Sequence, residues 1–188
     1  MSNEYPLRVR TARLELVAGT LELANLEIEN ISRLAEALEC PPPASWPPPL
    51  NDEHSQSWYL AMLKREPQST GWALWYILRL GTGPRELIGS AGFKGRPQNG
   101  ACEIGYSVLP PHHGCGYATE AAAALVAWAF AHPEIESVTA ETLPDLTASI
   151  RVMEKCGMRF VGDGNPEEGQ RTVRYAITRN ELSTGSHP

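Results

Sequence analysis

The sequence EIGYSVLPPHHGCGYATE occupies residues 103–120 and is followed by AAAALVAWAF at residues 121–130. It predicts an apolar strand, a hinge with two prolines, and a long alanine-rich helix that begins at Tyr117. Gly114 and Gly116 lack a Cβ atom, so the backbone can turn sharply there and a ligand can approach its N–H groups. Because a helix N-terminus offers unpaired N–H groups and the positive end of a dipole, the stretch predicts a phosphate-binding loop.

Two better-known phosphate-binding motifs fit this loop poorly. A P-loop needs Lys-Ser or Lys-Thr after its second glycine, whereas Tyr117 and Ala118 follow Gly116 here. A dinucleotide-binding fingerprint would put its third glycine at position 119, which is Thr119, and would directly follow a strand of a βαβ unit. Here a Pro-Pro-His-His spacer separates the strand from the glycines. We therefore reject the P-loop and disfavour the dinucleotide site.

Apolar spacing and turn residues describe the rest of the chain as a mixed α/β (α+β) protein. Strands are predicted at about 12–18, 72–80, 86–94, 101–109, 137–143, 158–161 and 172–178. Helices are predicted at about 21–29 after Thr20, 33–39 after Ser32, up to 65 after Asn51 or Asp52, 117–131, and 148–156 before Gly157. The middle three strands should form an antiparallel meander, because turn-forming residues separate them.

A proline-rich segment interrupts the helices between residues 40 and 50. It contains six prolines, which lack a backbone donor, so it should be a stiff, extended loop. One interpretation is a rigid wall beside a substrate pocket, with Trp46 as an apolar lid. The other is a connector that only routes the chain.

Composition excludes several classes of protein. A length of 188 residues with 42% hydrophobic and 20% charged content fits one globular domain. A formal charge of −6 leaves no basic footprint for nucleic acid, and no segment reaches the ~20 apolar residues that span a membrane. No signal peptide is visible and the four cysteines lie far apart, so we expect free thiols and a cytoplasmic protein. His112, His113 and Cys115 match no zinc pattern, so we expect no metal.

The glycine loop resembles the acetyl-CoA loop of the GNAT acetyltransferase superfamily, Arg/Gln-x-x-Gly-x-Gly/Ala. His113, Gly116 and Ala118 take its three key positions, and only His113 departs from the pattern. The resemblance covers about residues 9–180. Within the superfamily, the chain is similar in pattern to the RimJ/RimL, or ribosomal-protein N-acetyltransferase-like, branch. The resemblance rests on five motifs in order: TARLEL (11–16), ELIGSAGF (86–93), EIGY (103–106), GCGYATEA (114–121) and ASIRVMEKCGM (148–158).

This resemblance implies both a fold and an acetyl donor. The fold is a central mixed, mostly antiparallel sheet of about seven strands flanked by helices, in one domain over residues 1–182 with a flexible tail at 183–188. The donor is acetyl-CoA, used as a co-substrate. The residues implied to bind it are Val108, His113, Gly114, Cys115, Gly116, Tyr117, Ala118 and Thr119. His113 in place of Arg or Gln removes a strong phosphate donor.

The family reaction is attack of a neutral amine on the acetyl-CoA thioester within a ternary complex. Deprotonating a lysine-like amine at pH 7 costs about 4–5 kcal/mol, whereas a peptide α-amine costs ~1.4 kcal/mol. Glu103 is the first candidate for the base that relieves this cost, and Glu141 is the alternative. Many relatives carry a tyrosine that protonates the departing CoA sulfur, and Met153 stands at that position here. Ser149, one turn earlier, is the candidate to contact the sulfur instead. A thiol of pKa ~8.5 can also leave as a thiolate without an acid.

Two functions are consistent with these motifs. The first is an N-acetyltransferase that acts on a primary amine, at a protein N-terminus or in a small molecule, as a monomer or homodimer. The second is a non-catalytic acyl-CoA-binding sensor or interaction module on the same fold. Met153, and the absence of an asparagine that many relatives carry near Leu146, keep the second alternative open.

Overall fold

One sheet forms the centre of the molecule. The computed structural model describes residues 6–164 and 171–184, and within them the sheet has eight strands in the order β1-β2-β3-β4-β5-β6-β8-β7. The strands are β1 (Arg8–Arg10), β2 (Leu14–Ala18), β3 (Leu74–Arg79), β4 (Glu86–Phe93), β5 (Ala101–Val108), β6 (Ser137–Thr142), β7 (Arg159–Asp163) and β8 (Val173–Thr178). Neighbours are antiparallel except β5 and β6, which are parallel. The expected mixed, mostly antiparallel sheet is confirmed.

The strand beyond the expected seven is β1. It spans only three residues, Arg-Val-Arg, and pairs antiparallel with β2, where Arg8 is opposite Val17. A run this short shows no apolar alternation, and its pairing with a buried strand is what makes it a strand.

Six α-helices are present in the described residues. They are α1 (Leu21–Glu29), α2 (Ile31–Ala37), α3 (Glu53–Arg65), α4 (Tyr117–Phe130), α5 (Thr147–Lys155) and α6 (Arg179–Thr184). Thr20 and Asp52 cap α1 and α3 as expected, with their side chains accepting from the N–H groups of Leu23 and Ser55. None of these helices has the length and apolar character needed to cross a membrane.

The second helix begins and ends earlier than the sequence predicted. Asn30, rather than Ser32, is its N-cap, because the Asn30 side chain accepts from the N–H groups of Ser32 and Arg33 at 3.0 and 3.2 Å. The helix ends at Ala37, and Glu39 has a φ of 57°, which a right-handed helix cannot accommodate. The prediction of 33–39 was therefore wrong at both ends.

The C-terminal segment also differs from expectation. Ser183 and Thr184, assigned to the flexible tail, are the last residues of α6. Glu181 accepts from both the N–H and the hydroxyl of Thr178, at 2.9 and 2.8 Å, which resembles a capping box at the helix N-terminus. Residues 185–188 of the expected tail lie outside the described part of the chain.

Helices cover both faces of the sheet. The side chains of α4 that pack on one face include Ala121, Ala122 and Ala129, whose small size lets the helix approach the strands closely. The opposite face is covered by leucines of α1 and α2 together with α3. Because side chains alternate along β5, Glu103 and Ser107 belong to the face opposite α4, whereas Ile104 and Val108 pack towards it.

The sheet separates into two parts between β5 and β6. These strands pair only at Ala101, Cys102 and Glu103, opposite Ser137, Val138 and Thr139. Beyond this point β5 continues only along β4, and β6 only along β8. A gap therefore opens between the C-terminal ends of the two parallel strands, immediately before the glycine loop.

Candidate active site

The loop before α4 leaves open space for an anion. Gly114 and Gly116 have φ values of 73° and 81°, a left-handed conformation that glycine adopts without strain. Gly116 is the N-cap of α4, and a Cβ atom placed on Gly114 would meet no atom within 4 Å. The Glu120 N–H, 3.0 Å from the Gly116 carbonyl oxygen, makes the first intrahelical bond. The N–H groups of residues 117–119 are therefore free of such bonds, as an anion site requires.

His113, which takes the Arg/Gln position of the loop pattern, is used inside the protein. Its Nε2 atom lies 2.7 Å from the carbonyl oxygen of Val108, the last residue of β5. A carbonyl can only accept, so the ring donates from Nε2 and ties the loop back to the strand. Among the eight residues expected to bind the donor, these two therefore fix each other, and the Nε2 atom of His113 is not free to bind a phosphate.

A residue that the motif analysis gave no role supplies a cation beside the loop. The guanidinium of Arg13 donates to the carbonyl oxygen of Cys115 at 3.0 Å and to Glu120 at 2.7 Å. Its Cζ atom also lies 4.7 Å from the centre of the Tyr117 ring. Tyr117, one of the residues expected to bind the donor, is thus stacked against Arg13. The contact joins residues more than 100 positions apart, so no local spacing could have revealed it.

Glu103 lies where the two parallel strands part. It is the last residue of β5 that pairs with β6, and it belongs to the face opposite α4. Its Oε1 atom is 2.6 Å from the ammonium of Lys94, with 22% of the side chain exposed. Burial, together with the charges of Glu103 and Glu27, raises the pKa of Tyr59 on α3 to about 12. Glu103 thus faces the gap from the side of α1 and α3, with Lys94 as its counter-ion.

Glu141 is bound by neighbours on the sheet. Arg174, its partner across β6 and β8, contacts its Oε1 atom through two nitrogens, and the hydroxyl of Thr172 donates to Oε2 at 3.0 Å. Only 8% of the Glu141 side chain is exposed. A carboxylate bound in this way serves the sheet and is poorly placed to take a proton from a substrate, which favours Glu103 over Glu141 as the base.

Ser149 lies in the first turn of α5 and contacts β5 through Tyr106. The Tyr106 hydroxyl donates to the Ser149 carbonyl oxygen at 2.9 Å and lies 3.4 Å from its Oγ atom. Burial raises the pKa of Tyr106 to about 12, so the phenol stays protonated. No motif in the sequence predicted this role for Tyr106. The alternation along β5 places it towards α5, where a buried hydroxyl needs a partner.

The proline-rich segment packs against the same face as Glu103. The Ser107 hydroxyl makes a short contact with the Pro49 carbonyl oxygen at the gap end of β5. Farther back, the Trp46 indole donates to Glu27 of α1 at 3.0 Å. The segment contains neither helix nor strand, as expected. Its position beside β5 favours the wall of a pocket over a simple connector.

The histidines and the cysteine of the loop point to different partners. His112 contacts Glu86 at 3.2 Å, His113 contacts Val108, and the Cys115 thiol contacts a backbone oxygen. No group of three or more metal-ligating side chains occurs in residues 6–164 and 171–184. All four cysteines are free thiols.

Comparison with known proteins identifies the family. The model of the acetyltransferase (GNAT) domain matches residues 20–159. The chain belongs to the GNAT acetyltransferase family. The match includes the gap, the glycine loop and both candidate carboxylates.

Individual GNAT proteins resemble the chain over part of its length. The uncharacterized N-acetyltransferase YjdG of Bacillus subtilis is 31% identical over 101 residues, 53% of this chain and 59% of that protein. The FsC-acetyl coenzyme A-N(2)-transacetylase of Aspergillus fumigatus is 40% identical over 88 residues, 42% and 37% respectively. The chain thus spans about half the length of these relatives. Mycobacterium smegmatis RimJ, solved with CoA-disulfide, shares the fold with a TM-score of 0.63 at 23% identity, covering 94% of this chain and 87% of RimJ.

Proposed function

We propose that this GNAT protein transfers the acetyl group of acetyl-CoA to a primary amine of a small molecule or a protein N-terminus. The observation that carries the proposal is the glycine turn with free amides at the N-terminus of α4, placed beside the gap between β5 and β6. An anion bound at the turn directs the rest of an extended donor into that gap. The similarity to the FsC-acetyl coenzyme A-N(2)-transacetylase of Aspergillus fumigatus supports the same donor.

In this proposal the acceptor approaches from the face that carries Glu103. An ammonium acceptor must lose a proton before attack, and a carboxylate at the gap accepts it directly or through water. The nitrogen then bonds to the carbonyl carbon, the C–S bond breaks, and CoA leaves with the electron pair, while the second nitrogen proton passes to the departing sulfur or to water. With a pKa of ~8.5 the thiol leaves as a thiolate without an obligatory acid, and Ser149 can donate a hydrogen bond to the sulfur.

A second candidate function is a non-catalytic acyl-CoA sensor. Glu103 is paired with Lys94 and Glu141 with Arg174, so both candidate bases have a cationic partner. Met153, at the position of the family tyrosine, is 1% exposed and part of the core. A protein with this arrangement can bind the donor and signal its presence without turnover.

Release of free thiol from acetyl-CoA separates the two functions. We expect the purified chain to release CoA thiol in the presence of at least one class in a panel of peptide N-termini, amino acids, polyamines and amine antibiotics. Acetyl-CoA binding measured by calorimetry, without release for any amine, would support the sensor instead. A protein that does not bind CoA at all would contradict both functions.

Replacement of Glu103 by glutamine tests the base. The variant keeps the size of the side chain but cannot accept a proton, so we expect kcat/KM for a lysine-like amine to fall about 100-fold or more, within the usual range for removal of a general base. The lower-pH limb of the profile should also disappear. Glu141→Gln is the matched control, since it changes another carboxylate on the same face and should keep that limb. Unchanged rates in Glu103→Gln would reject the assignment.

The compartment and the oligomeric state belong to the same proposal. A cytoplasmic location is supported by the four free thiols, one of which, Cys115, is exposed in the binding loop. A monomer or a homodimer is consistent with the single sheet and its two edge strands, β1 and β7. Size-exclusion chromatography with light scattering distinguishes the two states.

A further inference from the structure

Arg13 makes a set of contacts that joins the start of the chain to the glycine loop. Its Nε and Nη2 atoms each lie 2.7 Å from Oε2 of Glu120, and its Nη1 atom donates to the Cys115 carbonyl oxygen at 3.0 Å. The other carboxylate oxygen of Glu120 accepts from the Arg13 N–H at 2.9 Å and from the Thr11 hydroxyl at 2.6 Å. Both oxygens of Glu120, in the first turn of α4, are thus held by the segment that leads into β2.

The contact with Cys115 has a geometric consequence for the loop. In a trans peptide unit the C=O and N–H groups point in opposite directions. The peptide between Cys115 and Gly116 has its carbonyl oxygen fixed on Arg13, so the Gly116 N–H is directed away from Arg13. Gly116 has no Cβ atom, so its backbone can also adopt conformations other than the observed φ of 81°, and an unsecured peptide would be able to turn its N–H out of the site.

We propose that Arg13 is a positioning residue for the donor's phosphates, acting through the Cys115 carbonyl and Glu120 to hold the loop amides in their anion-binding orientation. The inference rests on the proposed acetyl-CoA site. It assigns to Arg13 the task that the loop pattern gives to an Arg or Gln at position 113, by a different route. His113 is tied to Val108, and the loop is instead secured from outside by an arginine that immediately precedes β2.

The guanidinium acts here by its shape more than by its charge. The carboxylate of Glu120 contacts two nitrogens of the guanidinium and balances its charge. The Tyr117 ring packs against the guanidinium. Bridging a carboxylate and a carbonyl at once requires the planar fork of arginine, which a lysine ammonium does not reproduce. Although burial opposes it, the hydrogen bonds from Thr11 and Arg13 lower the pKa of Glu120, so the pair stays ionised near neutral pH.

The test compares acetyl-CoA with S-acetylpantetheine, a donor that lacks the pyrophosphate and the nucleotide. The measured quantity is the ratio of the two dissociation constants, determined for the wild type, Arg13→Gln and Arg13→Lys. We expect both variants to bind acetyl-CoA about tenfold more weakly and S-acetylpantetheine unchanged, a loss typical of one charge-assisted hydrogen bond. Because both ligands bind the same folded fraction, partial unfolding of a variant cancels in the ratio.

Arg8→Gln is the matched control. Arg8 forms a comparable ion pair with Glu15 at 2.8 Å on the neighbouring strand, away from the loop, so its loss should leave the ratio unchanged.

A wild-type ratio of dissociation constants in Arg13→Lys would overturn the inference, because charge alone would then suffice. Equal weakening for both donors would also overturn it. A wild type that gains no affinity from the pyrophosphate would reject the acetyl-CoA site itself, whereas a normal wild-type ratio retained in Arg13→Gln would reject only the role of Arg13.

Discussion

Replacement of Gly116 by tryptophan should weaken acetyl-CoA binding at least about 100-fold, a loss of about 2.7 kcal/mol in binding free energy. Gly116 has a φ of 81°, which costs a residue with a Cβ about 1–2 kcal/mol. The indole would also crowd the turn at the N-terminus of α4, where a Cβ atom on residue 116 would have Arg13 Nη2 near it at 3.5 Å, and would displace the guanidinium that holds the Cys115 carbonyl. Calorimetric titration with CoA measures the effect directly.

Gly95→Trp is the control for this substitution. Gly95 also has a left-handed φ, 99°, and its Cβ position likewise has its nearest neighbour, Met62 Sδ, at 3.5 Å. It lies in the turn after β4, so the control carries the same backbone cost without touching the glycine loop. We expect unchanged CoA affinity in Gly95→Trp. Intact affinity in Gly116→Trp would mean that the donor binds elsewhere.

Replacement of Glu27 by alanine should destabilise the folded protein by about 3–4 kcal/mol, as expected when a buried network loses its acceptor. Glu27 is 6% exposed and accepts from the indole of Trp46 at 3.0 Å, the amide of Gln56 at 2.9 Å and the hydroxyl of Tyr76 at 2.9 Å. The variant removes the acceptor of two buried donors, Gln56 and Tyr76, and of the half-buried Trp46 indole. Urea unfolding measures the loss, and Glu29→Ala, an exposed change on the same helix, should leave stability nearly unchanged.

The same carboxylate gives the protein a pH-dependent stability. Burial raises the pKa of Glu27 above its ordinary value of 4.5, although hydrogen bonds from Gln56 and other neighbours oppose the shift. A raised folded-state pKa favours the protonated form on folding, so this contribution is complete below the unfolded pKa and is lost as pH rises through the folded one. The stability of the wild type relative to Glu27→Gln should therefore decrease with rising pH above about 4.5. A difference that stays constant would contradict the shift.

Much of the site could be predicted from local sequence because local rules govern it. The glycines at 114 and 116 require positive φ, the helix from Tyr117 follows from its alanines, and Thr20 and Asp52 form the caps expected of them. The meander of β3, β4 and β5 followed from turn residues in the same way.

The rest depends on contacts between distant parts of the chain. Arg13 reaches Cys115 and Glu120 only after β2 has joined the sheet, and Glu27 meets Tyr76 across 49 positions. Glu103 and Glu141 could be recognised from the sequence as candidate bases. Which basic side chain pairs with each of them depends on strand register, which the sequence pattern does not give. Arg174 lies opposite Glu141 because β6 pairs with β8 in that register. Periodicity specifies which face a residue occupies and leaves its neighbour undetermined.

The short pairing of β5 with β6 divides the sheet into two parts that are joined along one short stretch. Strands β1 to β5 form one part of the sheet and β6 to β8 the other, and within the described residues three residue pairs connect the two parts. Helix α4 packs across the junction between the two parts, and the side chains of its Ala121 and Ala122 lie in the core. We therefore expect the width of the gap to depend on how closely the alanines of α4 let this helix pack on the strands. A methyl group added to the buried face of that helix, far from any reacting atom, would push the helix away from the strands. It would thereby change the distance between the acetyl donor and the amine acceptor.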